Sequence, residues 1–502
     1  MNIEFSKTKD ESTTFSADKV FFHSTYSPIK EAERFVQGLD FPIVPKLIFF
    51  IEPGLSYCYK PLKEKFPEAK IICIRFFDDF VTFSDEKIWD SVIRYKDCKN
   101  LNRLLIDTFS EEFLLCSTAI IWKSAQNLFS DLIQDFFQEY RRTLEDCKTL
   151  LVTRQFFEKK WLTNCCSFAA YVKSIIQPDF QKTDFPVVIC ASGPSLEPCL
   201  PFIKQYREKI FLLCLSSATT ALLNNTLIPD IILTTDGGYW AGEHLKILKK
   251  YKNIPLAAPA EAYIPKEVLL NNSILPLKYT DSSSFISSSI IEKAMLPSFD
   301  AVRNPTVSGT AFYFAKAITT GKIFFCGLDL HSQKGFQHTQ PNELEKNNML
   351  NDTRLTNNST RISHSRFNSQ SLKIYEDWFA SLAKDVTSNT FRVIDKSFCR
   401  NSLGNIPDID SQTFEELIAQ EKSGKNKINF TVTKLNSKTG TFDIIEYVCK
   451  SLNQQQWQKQ IFPADFISIN NTTTKEEKQK AQERLQRKID ELIKKIRKLS
   501  DE

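Results

Sequence analysis

The sequence predicts an α/β protein: a Rossmann-like, parallel-sheet catalytic domain, preceded by a smaller N-terminal α/β domain and followed by a mostly helical C-terminal region. Three observations carry this expectation. Short apolar runs with strand character repeatedly end in turns of small polar residues, and helix-like stretches separate those runs. The 502-residue length also exceeds what one hydrophobic core sustains, so two or three domains are expected. Composition shifts place their boundaries at 1–150, 151–405 and 406–502.

In the first domain, strand-like runs at 46–52 (KLIFFIE), 71–77 (IICIRFF) and 119–122 are parted by turns such as Pro53-Gly54. Glu52-Pro53-Gly54 is a strand-end turn, but no cluster of titratable groups follows it in sequence, so the site content of this domain reads as thin. A helical stretch over 129–177 leads into the second domain.

The string VVICASGPSL at 187–196 is the most informative in the chain. Four apolar residues run into Ala191, Ser192 and Gly193, followed by Pro194 and Ser195. A strand ending in small residues lets the backbone approach a ligand and leaves unpaired N–H groups at the carboxyl edge of a sheet, where a nucleotide phosphate is held. Phe211–Leu215 repeats the pattern, ending in Ser216-Ser217-Ala218-Thr219-Thr220 with a short apolar helix at 221–224. A third strand, 231–235, opens after Pro229-Asp230 and ends at Asp236, with Gly237 and Gly238 freeing the turn. Next, Asn304-Pro305-Thr306-Val307-Ser308-Gly309-Thr310 leads into the helical AFYFAKAITT and sets Ser308 and Gly309 at a helix N-terminus. An anion is favoured at such a place by about 0.3–1 kcal/mol, and a plain N-cap is the other reading of Ser308. The fourth strand, Ile323–Cys326, ends in Gly327-Leu328-Asp329-Leu330-His331. Short strands joined by helices imply right-handed crossovers and a parallel sheet whose small polar residues gather on its ligand-binding edge.

From about 411 the chain becomes polar and lysine-rich. A helix is predicted over 472–499, with Leu485, Ile489, Leu492, Ile493, Ile496 and Leu499 at three-four spacing as a stripe to bury. Lys488, Lys494, Lys495, Arg497 and Lys498 read as solvated flanks of that helix, with docking to an acidic protein or membrane surface as the alternative.

Composition narrows the function classes. Sixty-five basic against sixty acidic residues, interspersed along the chain, give a net charge of only +5, which lends no support to nucleic-acid binding. Thirteen cysteines without a CxxC pair exclude zinc-type spacing and read as small buried hydrophobes of a reducing cytoplasm, the adjacent Cys165 and Cys166 as a helix interior. No apolar run is long enough for a membrane span, and the polar MNIEFSKTKDESTTF start is unlike a secretory signal, so a cytoplasmic location is expected.

As an ordered set, SGPSL, the strand ending at Ser217, the PD…TTD strand, the VSGTA helix start, the CGLDL strand end and the His364-Ser365 pair resemble the motility accessory factor family of proposed flagellin glycosyltransferases. The set is also similar to bacterial sialyltransferases that use CMP-activated nonulosonic acids, where an NGPSL loop, a TSG helix start and a GID strand end line the CMP site. The resemblance covers 184–395, and Trp161 and Asn164 just upstream look like the family's approach to the domain. Departures stand beside it. Ala191 and Ser192 occupy positions where the family has Gly and a small or amide residue, and Ser217 one where Asn is common. Two tyrosines that serve the leaving phosphate in the sialyltransferases have no counterpart, since this chain reads Asp329-Leu330-His331 and Gly335-Phe336-Gln337-His338 there.

The resemblance implies transfer of a nonulosonic acid of pseudaminic, legionaminic or sialic-acid type from a CMP donor to Ser or Thr of flagellin, with neither metal nor other cofactor. Gly193, Ser195, Ser217, Asp236, Thr306, Ser308 and Gly309 are the expected CMP contacts, and His364 matches the general base. Histidine suits that role because its ordinary pKa near 6.5 lets it take a hydroxyl proton at neutral pH. His338, in a His-Thr pair like one the family carries, is its rival, acting on the leaving phosphate or the sugar carboxylate. Arg303 is a candidate partner for that carboxylate or a plain surface arginine, and His331 a further candidate donor. Asp236 is expected on the ribose or cytosine and Asp329 as a structural cap. Two alternatives remain open: a pterin diphosphokinase-like enzyme, with ATP and Mg²⁺ held by Asp236 or Asp329, and a non-catalytic flagellin-binding or nucleotide-sensing assembly factor.

Overall fold

The computed structural model describes residues 3–17, 19–41, 44–77, 88–98, 100–281, 284–331, 335–355, 357–358, 366–394, 401–421, 428–435, 441–471 and 474–501. The chain is an α/β protein with parallel sheets. It divides into two compact units, 1–156 with 461–486 and 157–460 with 487–502. Residues 406–502 are therefore shared between the two.

In the smaller unit β1 (Ile3–Lys7), β2 (Thr13–Ala17) and β3 (Val20–Phe21) form an antiparallel sheet. A second, fully parallel sheet contains β4 (Leu47–Ile51), β5 (Lys70–Arg75), β6 (Ser91–Arg94) and β7 (Ser117–Ile121) in the order β6-β5-β4-β7. β4 is buried along its whole length, which explains its unbroken apolar run. β6, reading SVIR and half-exposed, had no such run to betray it.

The chain order reverses at β4, and the crevice at that reversal is filled from within. Leu55 N donates to His23 Nε2 (2.9 Å), while Trp122 Nε1 (2.9 Å) and Ser124 Oγ (2.8 Å) both donate to the Phe22 carbonyl. Beside it Glu52 and Arg75, with wholly buried side chains, pair at 2.7 Å, and Arg75 reaches Ser56 Oγ at 3.0 Å. A titratable cluster thus does surround the Glu52 turn. Sequence adjacency hid it, because its members come from three separate segments.

The larger unit contains β8 (Ser174–Ile176), β9 (Val187–Cys190), β10 (Phe211–Leu215), β11 (Ile231–Leu233), β12 (Leu256–Pro259), β13 (Ser273–Tyr279), β14 (Phe299–Ala301), β15 (Ile323–Cys326), β16 (Thr390–Val393), β17 (Asp408–Ile409) and β18 (Val432–Lys434). Their order is β17-β16-β15-β9-β10-β11-β12-β13-β8-β18, with β14 also on β13. Every pairing is parallel except that of β18 with β8. The four strands read from sequence are present, the third ending at Leu233 rather than Thr235. β12 and β13 escaped notice because LAAP is small and SILPLKY carries Pro276, which ordinarily argues against a strand.

Helix Ser130–Tyr171 gives its residues from Phe157 to this unit, and Cys165 and Cys166 are buried in it, with burial pushing both thiols far up. In helix Lys475–Asp501 the stripe of Leu485, Ile489, Leu492 and Ile496 is buried, while Lys494, Lys495, Arg497 and Lys498 are exposed. Among the described residues no helix is long and apolar enough to cross a membrane.

Candidate active site

β9 lies between β10 and β15, so the chain leaving β9 turns in the gap where successive crossovers diverge to opposite sides, the usual ligand crevice of such sheets. The loops after the two strands are stitched together. Ala191 N donates to the Cys326 carbonyl and Gly193 N to that of Gly327, both at 2.8 Å. The backbones come so close that a Cβ on Gly193 would lie 2.5 Å from Asp329 Oδ2 and from the Gly327 carbonyl oxygen.

Ser195 departs from the expectation of a ligand-facing hydroxyl. It is only 1% exposed, its N–H donates to Asp329 Oδ2 (3.1 Å) and its Oγ donates to Asp329 Oδ1. Its place is inside the turn, which Asp329 clamps. Burial pushes the Asp329 carboxyl above the usual carboxylate range, although both bonds from Ser195 pull it back. Arg392 supports the same turn from below: it donates to the Leu328 carbonyl (3.4 Å) and is held bidentate by Asp408 (2.7 and 2.8 Å). At the surface of the crevice stand Ser217 and Ser192, half-buried, with Ser217 Oγ donating to Ser192 Oγ at 2.9 Å.

The segment after β15 folds over these loops. Thr339 N donates to the Ser192 carbonyl (2.7 Å) and Asn342 Nδ2 to that of Ser217 (2.9 Å). Asn342 also caps helix Glu343–Leu350, accepting from Leu344 N at 3.0 Å. His338 is thereby held one residue from a direct contact with the β9 turn, its Nδ1 3.3 Å from Oε1 of the buried Glu345. Glu343 binds His244 Nδ1 at 2.7 Å. Burial pushes the Glu343 carboxyl up, but hydrogen bonds from His244 and Thr220 outweigh it and leave it below the usual range.

Because β11 and β14 run parallel to β9, the segments that follow them emerge at the same edge. Asp236 Oδ1 accepts from Gly238 N at 2.8 Å. Its charge reaches Tyr375, whose phenol is raised first by burial and then by Asp236. Tyr375 and Trp378 belong to helix Arg366–Ala380, and Trp378 packs on Gly309, where a Cβ would sit 2.9 Å from its Cη2. Asp236 and the start of helix Val307–Ile318 thus border the same helix. Thr306, not Ser308, is the N-cap of Val307–Ile318. Its side chain accepts from Ser308 N at 3.4 Å, and Ser308 itself is buried in the first turn.

Arg303 is neither a plain surface arginine nor a cation awaiting a ligand. Its Nη2 donates to both oxygens of Glu261 (3.0 and 2.9 Å) and to Ser284 Oγ (2.8 Å), and its Nε donates to Asp281 (3.1 Å). The guanidinium also lies 4.2 Å from the Tyr279 ring centre. A donor carboxylate would have to displace two protein carboxylates, so the expected charge-neutralising role lacks a vacant partner in this arrangement. His331 is exposed, and His364 lies outside the described residues.

Glu261, Glu345 and the His244–Glu343 pair were not singled out from sequence. Glu261 follows the unrecognised β12, and the two helix glutamates had no strand end to mark them. Of the upstream pair Trp161 and Asn164, the asparagine has a visible structural role. Asn164 Nδ2 donates to the carbonyls of Gly237 (3.3 Å) and Glu261 (2.8 Å), tying the loops after β11 and β12 together. Among the described residues no group of three or more His, Cys, Asp or Glu side chains is placed to hold a metal ion.

Comparison with known proteins gives three kinds of likeness. Residues 159–335 match the family described as MptE-like, 6-hydroxymethylpterin diphosphokinase MptE-like. A protein of Treponema pallidum (strain Nichols), named only as an uncharacterized protein, is 30% identical over 288 residues, 57% of this chain and 62% of that protein. A second protein of that strain is 24% identical over 181 residues, 34% of this chain and 31% of its own length. The matches thus span less than two thirds of either curated relative. Among solved structures, the MAf glycosyltransferase from Magnetospirillum magneticum AMB-1 superposes with a TM-score of 0.56 at 12% identity, covering 98% of this chain and 91% of that one. At that identity the likeness is one of fold.

Proposed function

We propose that this protein is a glycosyltransferase that moves a nonulosonic acid from its CMP donor to a Ser or Thr hydroxyl of a flagellin-like protein in the cytoplasm. The observation that carries the reading is the meeting of the β9, β10 and β15 loops at one crevice, with the Ser192 and Ser217 hydroxyls joined across it. The whole-chain likeness in fold to a MAf glycosyltransferase agrees with it. In this reading Gly193 and Ser217 approach the CMP phosphate, Asp236 takes the ribose or cytosine, and Thr306, Ser308 and Gly309 bring the positive end of helix Val307–Ile318 to it. Ser195 serves through Asp329 by holding the turn in shape. The acceptor hydroxyl oxygen bonds to the anomeric carbon as the bond from that carbon to the CMP phosphate oxygen breaks. CMP leaves with that electron pair, and His364 takes the hydroxyl proton. His338 is the candidate to steady the departing phosphate. Arg303 orders the loops after β12, β13 and β14 around the sugar side.

The test is the intact mass of a flagellin co-expressed with this protein and a CMP-nonulosonic acid pathway. A mass step of one or more nonulosonic residues is expected. The His364→Ala variant is expected to abolish the step while leaving CMP affinity nearly unchanged, and an undiminished step would remove His364 as base.

The family match over 159–335 favours one second reading, a pterin diphosphokinase-like reaction. It needs Mg²⁺ on Asp236 or Asp329, yet the Asp329 oxygens are engaged by Ser195. Pyrophosphate transfer from ATP to a hydroxymethylpterin, lost in EDTA, would establish it in place of the sugar transfer.

A further inference from the structure

We propose that Glu345 is a positioning residue that fixes the tautomer of His338, with the proton on Nδ1 and Nε2 kept as an open acceptor beside the β9 turn. The inference rests on the transferase reading, in which His338 faces the departing phosphate. Oε1 of Glu345 collects three nitrogens from one short stretch: Gln337 N at 2.6 Å, His338 N at 3.2 Å and the ring Nδ1 at 3.3 Å. An oxygen that accepts two backbone N–H groups is acting as an acceptor, so the ring nitrogen turned toward it must be the donor. In a neutral imidazole the proton is then absent from Nε2.

Three features make this more than a surface contact. The Glu345 side chain is 1% exposed, so water does not compete for the interaction. Glu345 sits in the first turn of helix Glu343–Leu350, whose cap, Asn342, is itself bonded to the Ser217 carbonyl, so the carboxylate is referenced to the crevice through rigid links. And Thr339, next to His338, is bonded to Ser192. The other ionisable groups around this segment are engaged elsewhere: Glu197 with Thr339 Oγ1 (3.3 Å) and Gln340 N (3.2 Å), and Glu343 with His244. Among the described residues no group is hydrogen-bonded to His338 Nε2. A neutral His338 in this tautomer cannot donate from Nε2. It can accept a proton there, and once it has done so it presents a positive N–H to the leaving phosphate.

The test uses the full-length protein labelled with ¹⁵N-histidine, with His338→Ala to assign the ring signals. The wild-type spectrum of neutral His338 is expected to show the proton on Nδ1, and Glu345→Ala, which removes the accepting oxygen, is expected to lose that preference. CMP affinity of Glu345→Ala should stay near wild type, while the transfer rate falls at least ~10-fold. In a His338→Ala background the Glu345→Ala change should cost nothing further. A proton on Nε2 in the wild type, a wild-type rate in Glu345→Ala, or a further drop in the double variant would each overturn the proposal. Should Glu345→Ala fail to fold, the wild-type tautomer alone decides. A wild type with the expected tautomer but no sugar transfer would sink the transferase reading and leave the Glu345–His338 geometry standing.

Discussion

At the scale of single residues, the crevice is built from groups that look alike in sequence and do opposite things. Ser192, Ser195 and Ser217 are three serines after strand ends, yet only Ser195 turns both its N–H and its hydroxyl inward to a buried carboxylate. Removing the hydroxyl leaves Asp329 with one donor fewer in a place water does not reach. Ser195→Ala is therefore expected to lower unfolding free energy by about 1–3 kcal/mol, the cost of an unmet buried polar group. Chemical denaturation measures it, and a variant as stable as wild type but with weakened CMP binding would restore Ser195 as a direct ligand contact. The same contrast applies to Arg303. Its spacing before Ser308 is plain in sequence, but the carboxylates that occupy it arrive from two other strand ends.

At the scale of elements, the segment 22–24 behaves as a plug in the smaller sheet. His23 is almost wholly buried, and burial first, then the Arg75 charge, lowers its pKa from 6.5 to about 3. Between those values the unfolded chain binds a proton that the folded one refuses. The stabilisation is thus fully present above pH 6.5 and is lost as pH falls toward about 3, at up to ~1.4 kcal/mol per pH unit. Urea unfolding from pH 7 to pH 4 should show this slope, and His23→Gln, which cannot titrate, should flatten it. An unchanged slope in that variant would locate the pH sensitivity elsewhere. Helix Glu343–Leu350 is the matching element of the larger unit: one cap and two first-turn glutamates, through which the stretch after β15 is tied over the crevice.

At the scale of the whole molecule, what the sequence displayed was the part of the fold that repeats locally. The strands at 187–190, 211–215 and 323–326 are unbroken apolar runs ending in small residues, and each is present with its loop at the shared edge. β8, β12, β13 and β16 were hidden because their burial is set by neighbours far away in sequence: Pro276 is tolerated, and Arg392 is buried only because Asp408 and Asn401 meet it. The carboxylate partners of His338, His244 and Arg303 were hidden for the same reason. Both units share one wiring, in which the chain builds outward from a founding strand, β4 or β9, and later returns to that strand's other flank. In the smaller unit Phe22 and His23 are bonded into the gap this leaves, whereas at β9 the corresponding gap is rimmed by hydroxyls. A molecule with two such berths therefore has one of them permanently taken by its own chain. Calorimetric titration with CMP should accordingly saturate at a single equivalent, and a second equivalent would mean that the internal tenant can be evicted.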